Sequence, residues 1–147
     1  MDTHSPAAGP LFSPYDTLRG KARYIACYAD AWRGALIRAA DSPEALTELR
    51  LGGRFAGVLA LDDRRGKYRA LGWIAFCYVA PELRGQGLGR AMIDFAADHF
   101  RRCGRRAMRL TVAPANPAVF FYEKLGFVRV GTEPGALEDL YVMELPL

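Results

Sequence analysis

The stretch Val79-Ala80-Pro81-Glu82-Leu83-Arg84-Gly85-Gln86-Gly87-Leu88-Gly89 carries the clearest chemistry in this chain. It follows an almost unbroken apolar run, Leu71 to Ala80, and opens an amphipathic helical pattern, so it reads as strand, tight glycine turn, helix. Such a turn leaves several backbone N–H groups unpaired and pointing outward, with the positive end of the helix dipole behind them. That is an anion site, and phosphate is its usual ligand.

The residues narrow the kind of phosphate. A nucleotide P-loop requires a Lys-Ser or Lys-Thr pair after its glycines, and none follows here. The dinucleotide pattern Gly-x-Gly-x-x-Gly fits at Gly85 and Gly87, but its third position is Arg90 and the glycine falls one residue early, at Gly89. An arginine there prevents the close helix–strand contact that the third glycine serves. What fits is Arg84-Gly85-Gln86-Gly87-Leu88-Gly89 read as Arg/Gln-x-x-Gly-x-Gly/Ala, with its Val-x-Pro-Glu lead-in. This resembles the acetyl-CoA pyrophosphate loop of the GNAT superfamily of N-acetyltransferases. A second segment, from Asn116 through Tyr122 to Gly126-Phe127, resembles the family's Asn-x-x-Ala-x-x-x-Tyr-x-x-x-Gly-Phe pattern, and Tyr141-Val142-Met143-Glu144-Leu145 resembles its final strand. The likeness covers about residues 45–147, within 1–147 read as a single acetyltransferase domain.

The resemblance implies an α/β (α+β) fold: a mixed, mostly antiparallel sheet of six to seven strands, helices on both faces, and a splayed central strand pair that admits the acyl-pantetheine arm. Backbone N–H groups at Cys77, Tyr78 and Val79 would bond the arm and the thioester carbonyl. The amides of Arg84, Gly85, Gln86, Gly87, Leu88, Gly89 and Arg90 would hold the pyrophosphate. Tyr122 carries over as general acid to the departing CoA thiolate, and Asn116 as a polar contact to the arm. The implied activity is transfer of acetyl from acetyl-CoA to a primary amine of a small molecule or peptide, by direct attack on the thioester and without a metal. Such attack passes through a tetrahedral oxyanion, for which preorganised donors are worth several kcal/mol. A phenol of pKa about 10 can protonate a thiolate whose conjugate acid lies near 8.5. The rival reading is a non-catalytic acyl-CoA-binding sensor or partner module, which would have no need of the acid. For Cys77, an inert buried thiol is preferred over a nucleophile.

One departure from the family bears on mechanism. Many members place a Glu on the strand before the glycine loop as a base acting through water, and Gly72 to Tyr78 holds no carboxylate. A lysine-like amine of pKa about 10.4 is neutral in only ~0.04% of molecules at pH 7, a cost of ~4.6 kcal/mol. An α-amino group of pKa about 8 costs ~1.4 kcal/mol. Either the acceptor amine has a low pKa or a base comes from elsewhere, with Asp30, Asp41 and Glu48 as unranked candidates.

The rest of the chain suits this setting. With 147 residues, 51% hydrophobic and 24% charged, it has the make-up of one globular domain. A net charge of +4 suits a polyanionic ligand such as CoA; nucleic acid has no motif behind it. Cys27, Cys77 and Cys103 form no C-x-x-C pair, and with only His4 and His99 besides there is no zinc spacing. Free thiols, no recognisable leader and no membrane-length apolar run make a cytoplasmic protein the expectation. Homodimers are common in such families; the oligomeric state and the acceptor are not legible.

The elements that must position these residues follow from periodicity. Residues 1–14 form a loosely ordered arm with a short edge strand at Leu11–Ser13, and Asp16–Ala40 reads as an amphipathic helix, with Tyr24, Tyr28 and Trp32 mainly core. Strands are expected at Leu46–Leu51 and Phe55–Leu61 around a Gly52-Gly53 turn, and at Leu71–Val79, the last buried on both faces. A helix with Leu88, Met92, Ala96, Phe100 and Cys103 on its apolar side should stop at Gly104, with His99 at its boundary. The cluster Arg101, Arg102, Arg105 and Arg106 reads as a solvated helix end rather than a contact to the CoA 3′-phosphate. A strand at Ala107–Ala113, a helix capped by Asn116 and ending at Gly126, and strands at Phe127–Gly131 and Leu137–Leu145 joined by a turn at Glu133-Pro134-Gly135 complete the chain.

Overall fold

The computed structural model describes residues 9–14 and 46–147. The helix expected over Asp16–Ala40, with Tyr24, Tyr28 and Trp32, lies outside the described residues, as do Cys27, Asp30 and Asp41.

Seven strands are hydrogen-bonded in the order β1-β2-β3-β4-β5-β7-β6. They are β1 (Leu11–Pro14), β2 (Leu46–Leu51), β3 (Arg54–Asp62), β4 (Leu71–Val79), β5 (Ala107–Val112), β6 (Val128–Pro134) and β7 (Asp139–Pro146). Helix α1 is Leu88–Arg102 and α2 is Ala118–Lys124. β1 with β2, β2 with β3, β5 with β7 and β6 with β7 pair antiparallel, and β4 pairs with β5 in parallel. By contacts the chain divides into two compact units: one ends at Ala60 and takes up Phe76–Ile93, the other comprises Leu61–Ala75 and Asp94–Leu147.

In the first unit, β1 pairs with β2 and β2 with β3, the latter across the Gly52-Gly53 turn that the sequence marks. Its core joins Leu49, Ala56, Leu88 and Met92, with Phe12, Leu51, Cys77, Val79 and Leu83 packed against them. Gly57 sets the spacing here. A Cβ at this position would stand 2.2 Å from the Tyr78 carbonyl oxygen and 2.5 Å from the Met92 methyl, so only a bare backbone lets β4 approach β3 this closely. Gly57→Ala is therefore expected to cost about 1–3 kcal/mol, read as a lower urea midpoint with an unchanged slope.

In the second unit, β5, β7 and β6 form an antiparallel set. The parallel ladder between β4 and β5 covers Leu71, Gly72 and Trp73 against Ala107, Met108 and Arg109, and then ends. Burial follows the ladder: Leu71 to Ile74 are buried, Ala75 is exposed, and Phe76 to Val79 are half-buried. The expectation of a strand buried on both faces holds for Leu71 to Ile74, around the parallel ladder, and fails from Ala75 onward. Gly72 is where the Phe100 ring lies against β4, since a Cβ would come within 2.3 Å of that ring.

Two boundaries differ from the sequence reading. β6 runs on to Pro134 because Thr132, Glu133 and Pro134 continue the ladder with Tyr141, Leu140 and Asp139. The turn therefore falls at Gly135–Glu138, closed by the Gly135 N–H donating to the Glu138 carbonyl. Proline survives in β6 because that strand is at the sheet edge, where one side needs no donor. Cys103 is exposed rather than part of the buried stripe: α1 ends at Arg102, and Cys103 follows in its closing turn, its N–H still bonded to the His99 carbonyl.

Candidate active site

The glycine loop lies in the first unit. After β4 a single 3-10 turn, Pro81–Leu83, leads into exposed Arg84, Gly85, Gln86 and Gly87. Gly85 and Gly87 have φ of 81° and 82°, and a Cβ at either would meet no atom within 4 Å. The requirement for glycine is thus one of backbone conformation, not of space. Ala91 N–H donates to the Gly87 carbonyl as α1 begins, so the amides of Leu88, Gly89 and Arg90 stand at the open end of a 15-residue helix. Their partial positive charge and the macrodipole point at whatever lies outside the turn. The Arg84 side chain turns back: its Nε donates to the Val79 carbonyl at 2.9 Å, and its guanidinium carbon lies 5.7 Å from the Tyr78 ring centroid. Arg84 therefore braces the loop against the strand end.

Cys77 lies beside this loop on β4, with Sγ 3.5 Å from the Met92 sulfur. Burial of the thiol pushes its pKa from 9.0 up to about 12, although the residue as a whole is half-buried. A thiol so reluctant to ionise suits an inert wall rather than a nucleophile. Alkylation with iodoacetamide at pH 8 is expected to modify exposed Cys103 and leave Cys77 intact, as peptide mapping would show.

The second motif lies in the other unit, on α2. Asn116 Oδ1 accepts from the Ala118 N–H at 2.9 Å, capping the helix start next to Pro117, as the sequence suggests. Its amide nitrogen is the part of the side chain suited to a donor role toward a ligand. The far end of α2 explains the Tyr-x-x-x-Gly-Phe spacing. Phe127 N–H donates to the Tyr122 carbonyl, and Gly126 N–H donates to that of Glu123, with Gly126 at φ 100°. These two bonds around a left-handed glycine make a Schellman cap, whose hydrophobic contact joins the residues that here are Tyr122 and Phe127. Their rings meet edge to face at 5.6 Å, and Phe127 is 2% exposed. The motif thus fixes the tyrosine ring on a buried partner through helix-termination geometry.

Other residues singled out by sequence fall elsewhere. Glu48 is buried on β2, with Arg50 Nη2 3.4 Å from its Oε1. The arginines around the end of α1 are largely engaged within the second unit: Arg101 bonds Asp98, Arg105 bonds the Asp63 carbonyl, and Arg106 bonds the Arg69 carbonyl. A cavity of about 460 Å³ in that unit is bordered by Arg65, Arg69, Trp73, Arg109, Val130 and Glu133, among others, and by none of the residues predicted for the site. Its charges are mostly paired, Arg65 with Glu133 and Arg109 with Glu144, and Arg65 also lies over the Trp73 ring at 3.5 Å. Sequence reasoning missed Gly57 and Gly72. The signal was available, since an isolated glycine inside a strand pattern marks close approach.

The profile of the acetyltransferase (GNAT) family matches residues 11–127. The chain belongs to the GNAT family. It is 37% identical over 81 residues to a mycothiol acetyltransferase of Pseudarthrobacter chlorophenolicus, a match covering 53% of this chain and 25% of that protein. It is 36% identical over 77 residues to the L-amino acid N-acyltransferase MnaT of Escherichia coli, covering 48% of this chain and 45% of that one. These matches thus span a quarter to under half the length of the curated relatives. The fold superposes on Ard1 from Thermoplasma volcanium with a TM-score of 0.78 at 18% identity, covering 95% of this chain and 99% of the other. Among the described residues no helix is long and apolar enough to cross a membrane.

Proposed function

We propose that the 147 residues act as one acetyltransferase domain that moves acetyl from acetyl-CoA to a primary amine, by direct attack of the amine on the thioester. The observation that carries this is the glycine loop: two left-handed glycines lead into three open helix amides, the backbone arrangement that suits a pyrophosphate. In this reading the amides of Arg84 to Arg90 hold the pyrophosphate, and the main chain at Cys77 to Val79 bonds the pantetheine arm and polarises the thioester carbonyl. The Asn116 amide nitrogen touches the arm. Tyr122 gives its proton to the CoA thiolate as the tetrahedral intermediate collapses, so the C–S bond breaks and the amide remains.

The acceptor is an α-amine, of a free amino acid or a peptide N-terminus. Two facts support this class. β4 carries no carboxylate from Leu71 to Val79, so an amine that is already partly neutral is favoured. One relative is by name an L-amino acid N-acyltransferase. Thiol release from acetyl-CoA, followed with amino acids, polyamines, aminoglycosides and short peptides, tests the proposal. Turnover dependent on an added amine supports the enzyme. Tight acetyl-CoA binding with only slow, amine-independent thioester loss supports the binding-module reading instead.

A further inference from the structure

Asp63, on the loop after β3, lies 36 residues before His99 on α1, yet in the second unit it meets His99 and Cys103, which is just past the end of that helix. His99 Nε2 is 2.7 Å from Asp63 Oδ1 and 3.8 Å from Cys103 Sγ, and all three donor atoms lie within 4.8 Å of one another. We propose that these three side chains bind a zinc ion.

The donor set is one imidazole nitrogen, one sulfur and one carboxylate oxygen, a mixture that suits a borderline-soft divalent ion and not magnesium or calcium. Zinc bonds of about 2.0–2.3 Å at tetrahedral angles place such donors about 3.4–3.6 Å apart. The observed nitrogen–sulfur distance is near that value, the nitrogen–oxygen contact must open by about 0.7 Å, and the sulfur and oxygen, which lie within 4.8 Å, draw toward the same separation as the ion binds. His99 is 5% exposed, Asp63 is half-buried and Cys103 is exposed. The ion would therefore sit at the rim of the fold, with its fourth position open to water.

The backbone holds the three groups in place before any ion arrives. Cys103 N–H donates to the His99 carbonyl, so the two residues are one helical turn apart on the same face. Gly104 and Arg105 then close α1 with a Schellman cap, their amides donating to the Arg101 and Phe100 carbonyls. The cap directs Arg105 to the Asp63 carbonyl, where Nη2 donates at 2.9 Å. On its other side, Asp62 Oδ1 accepts from the amides of Arg64 and Arg65, fixing the loop that carries Asp63. Binding replaces the Asp63–His99 contact: His99 ligates as a neutral imidazole through unprotonated Nε2 with its ring proton on Nδ1, and Cys103 ligates as a thiolate after releasing its proton to solvent. The ion would fasten the β3–β4 loop to the end of α1, at residues other than those assigned to acyl-CoA.

The test is a Co²⁺ titration of the full, untagged chain, reduced and stripped of metal. The expected result is one equivalent of tetrahedral Co²⁺ with a sulfur-to-cobalt charge-transfer band in the near ultraviolet, displaced by Zn²⁺. Cys103→Ser, an exposed substitution whose folding circular dichroism would check, should lose the band. Cys27→Ser should keep it, and Asp63→Asn should weaken binding by more than about tenfold. Zn²⁺ should raise the Tm of the wild type and not that of Cys103→Ser. Absence of the band at excess Co²⁺, or its persistence in Cys103→Ser, overturns the proposal.

Discussion

Replacing Tyr122 by Phe is expected to lower turnover by about 10²–10⁴-fold while leaving acetyl-CoA affinity nearly unchanged. The magnitude is that of one positioned proton donor. When the tetrahedral intermediate collapses, a thiolate leaves, and a phenol of pKa about 10 beside a thiol of about 8.5 is close enough to deliver the proton. The substitution isolates that event because it removes only the hydroxyl. The ring keeps its edge-to-face contact with Phe127, and the Tyr122 carbonyl keeps the Phe127 and Leu125 amides that end α2. Single-turnover rates of wild type and variant, set beside acetyl-CoA dissociation constants, separate chemistry from binding. Equal rates would remove Tyr122 from the mechanism, and a fall confined to affinity would make it a binding residue.

What could be read from the chain, and what could not, follows from how far each feature reaches. The glycine loop was legible because its requirement is local: Gly85 and Gly87 satisfy a backbone conformation, and an open helix end needs no distant partner. The Asn116 cap and the Gly126 stop were legible for the same reason. The β6–β7 turn was misplaced because Pro134 signals a turn locally, while the ladder to Asp139 that keeps it in the strand is set by tertiary pairing. β4 was read as uniformly buried because periodicity cannot show where a parallel ladder stops. Asp63, His99 and Cys103 were invisible as a group: 36 residues separate the first two, and no motif spacing spans a strand and a helix. The closeness of Gly57 to β4 is likewise a fact about two strands, which the glycine hints at but does not locate.

The acceptor amine offers the second large effect. If no enzyme carboxylate deprotonates the nucleophile, the reactive species is whatever fraction of amine is already neutral. At pH 7 that fraction is ~9% for an α-amine of pKa about 8 and ~0.04% for an ε-amine of pKa about 10.4. The ratio is about 200-fold, or ~3.2 kcal/mol. An α-amine should therefore show kcat/KM about 10²-fold above that of an ε-amine of similar size at pH 7. The sign of the pH dependence follows from the same argument: deprotonation creates the nucleophile, so kcat/KM should rise about tenfold from pH 6 to 7 and level off near 8, where the free amine titrates. An ε-amine should keep rising toward pH 10. Preference for the ε-amine with a plateau below pH 8 would mean that the protein supplies a base. Glu48→Gln would then be the first variant to make, because Glu48 is the one of the three candidate carboxylates that lies among the described residues, buried beside Arg50. A rate unaffected by that change would direct the search to Asp30 and Asp41.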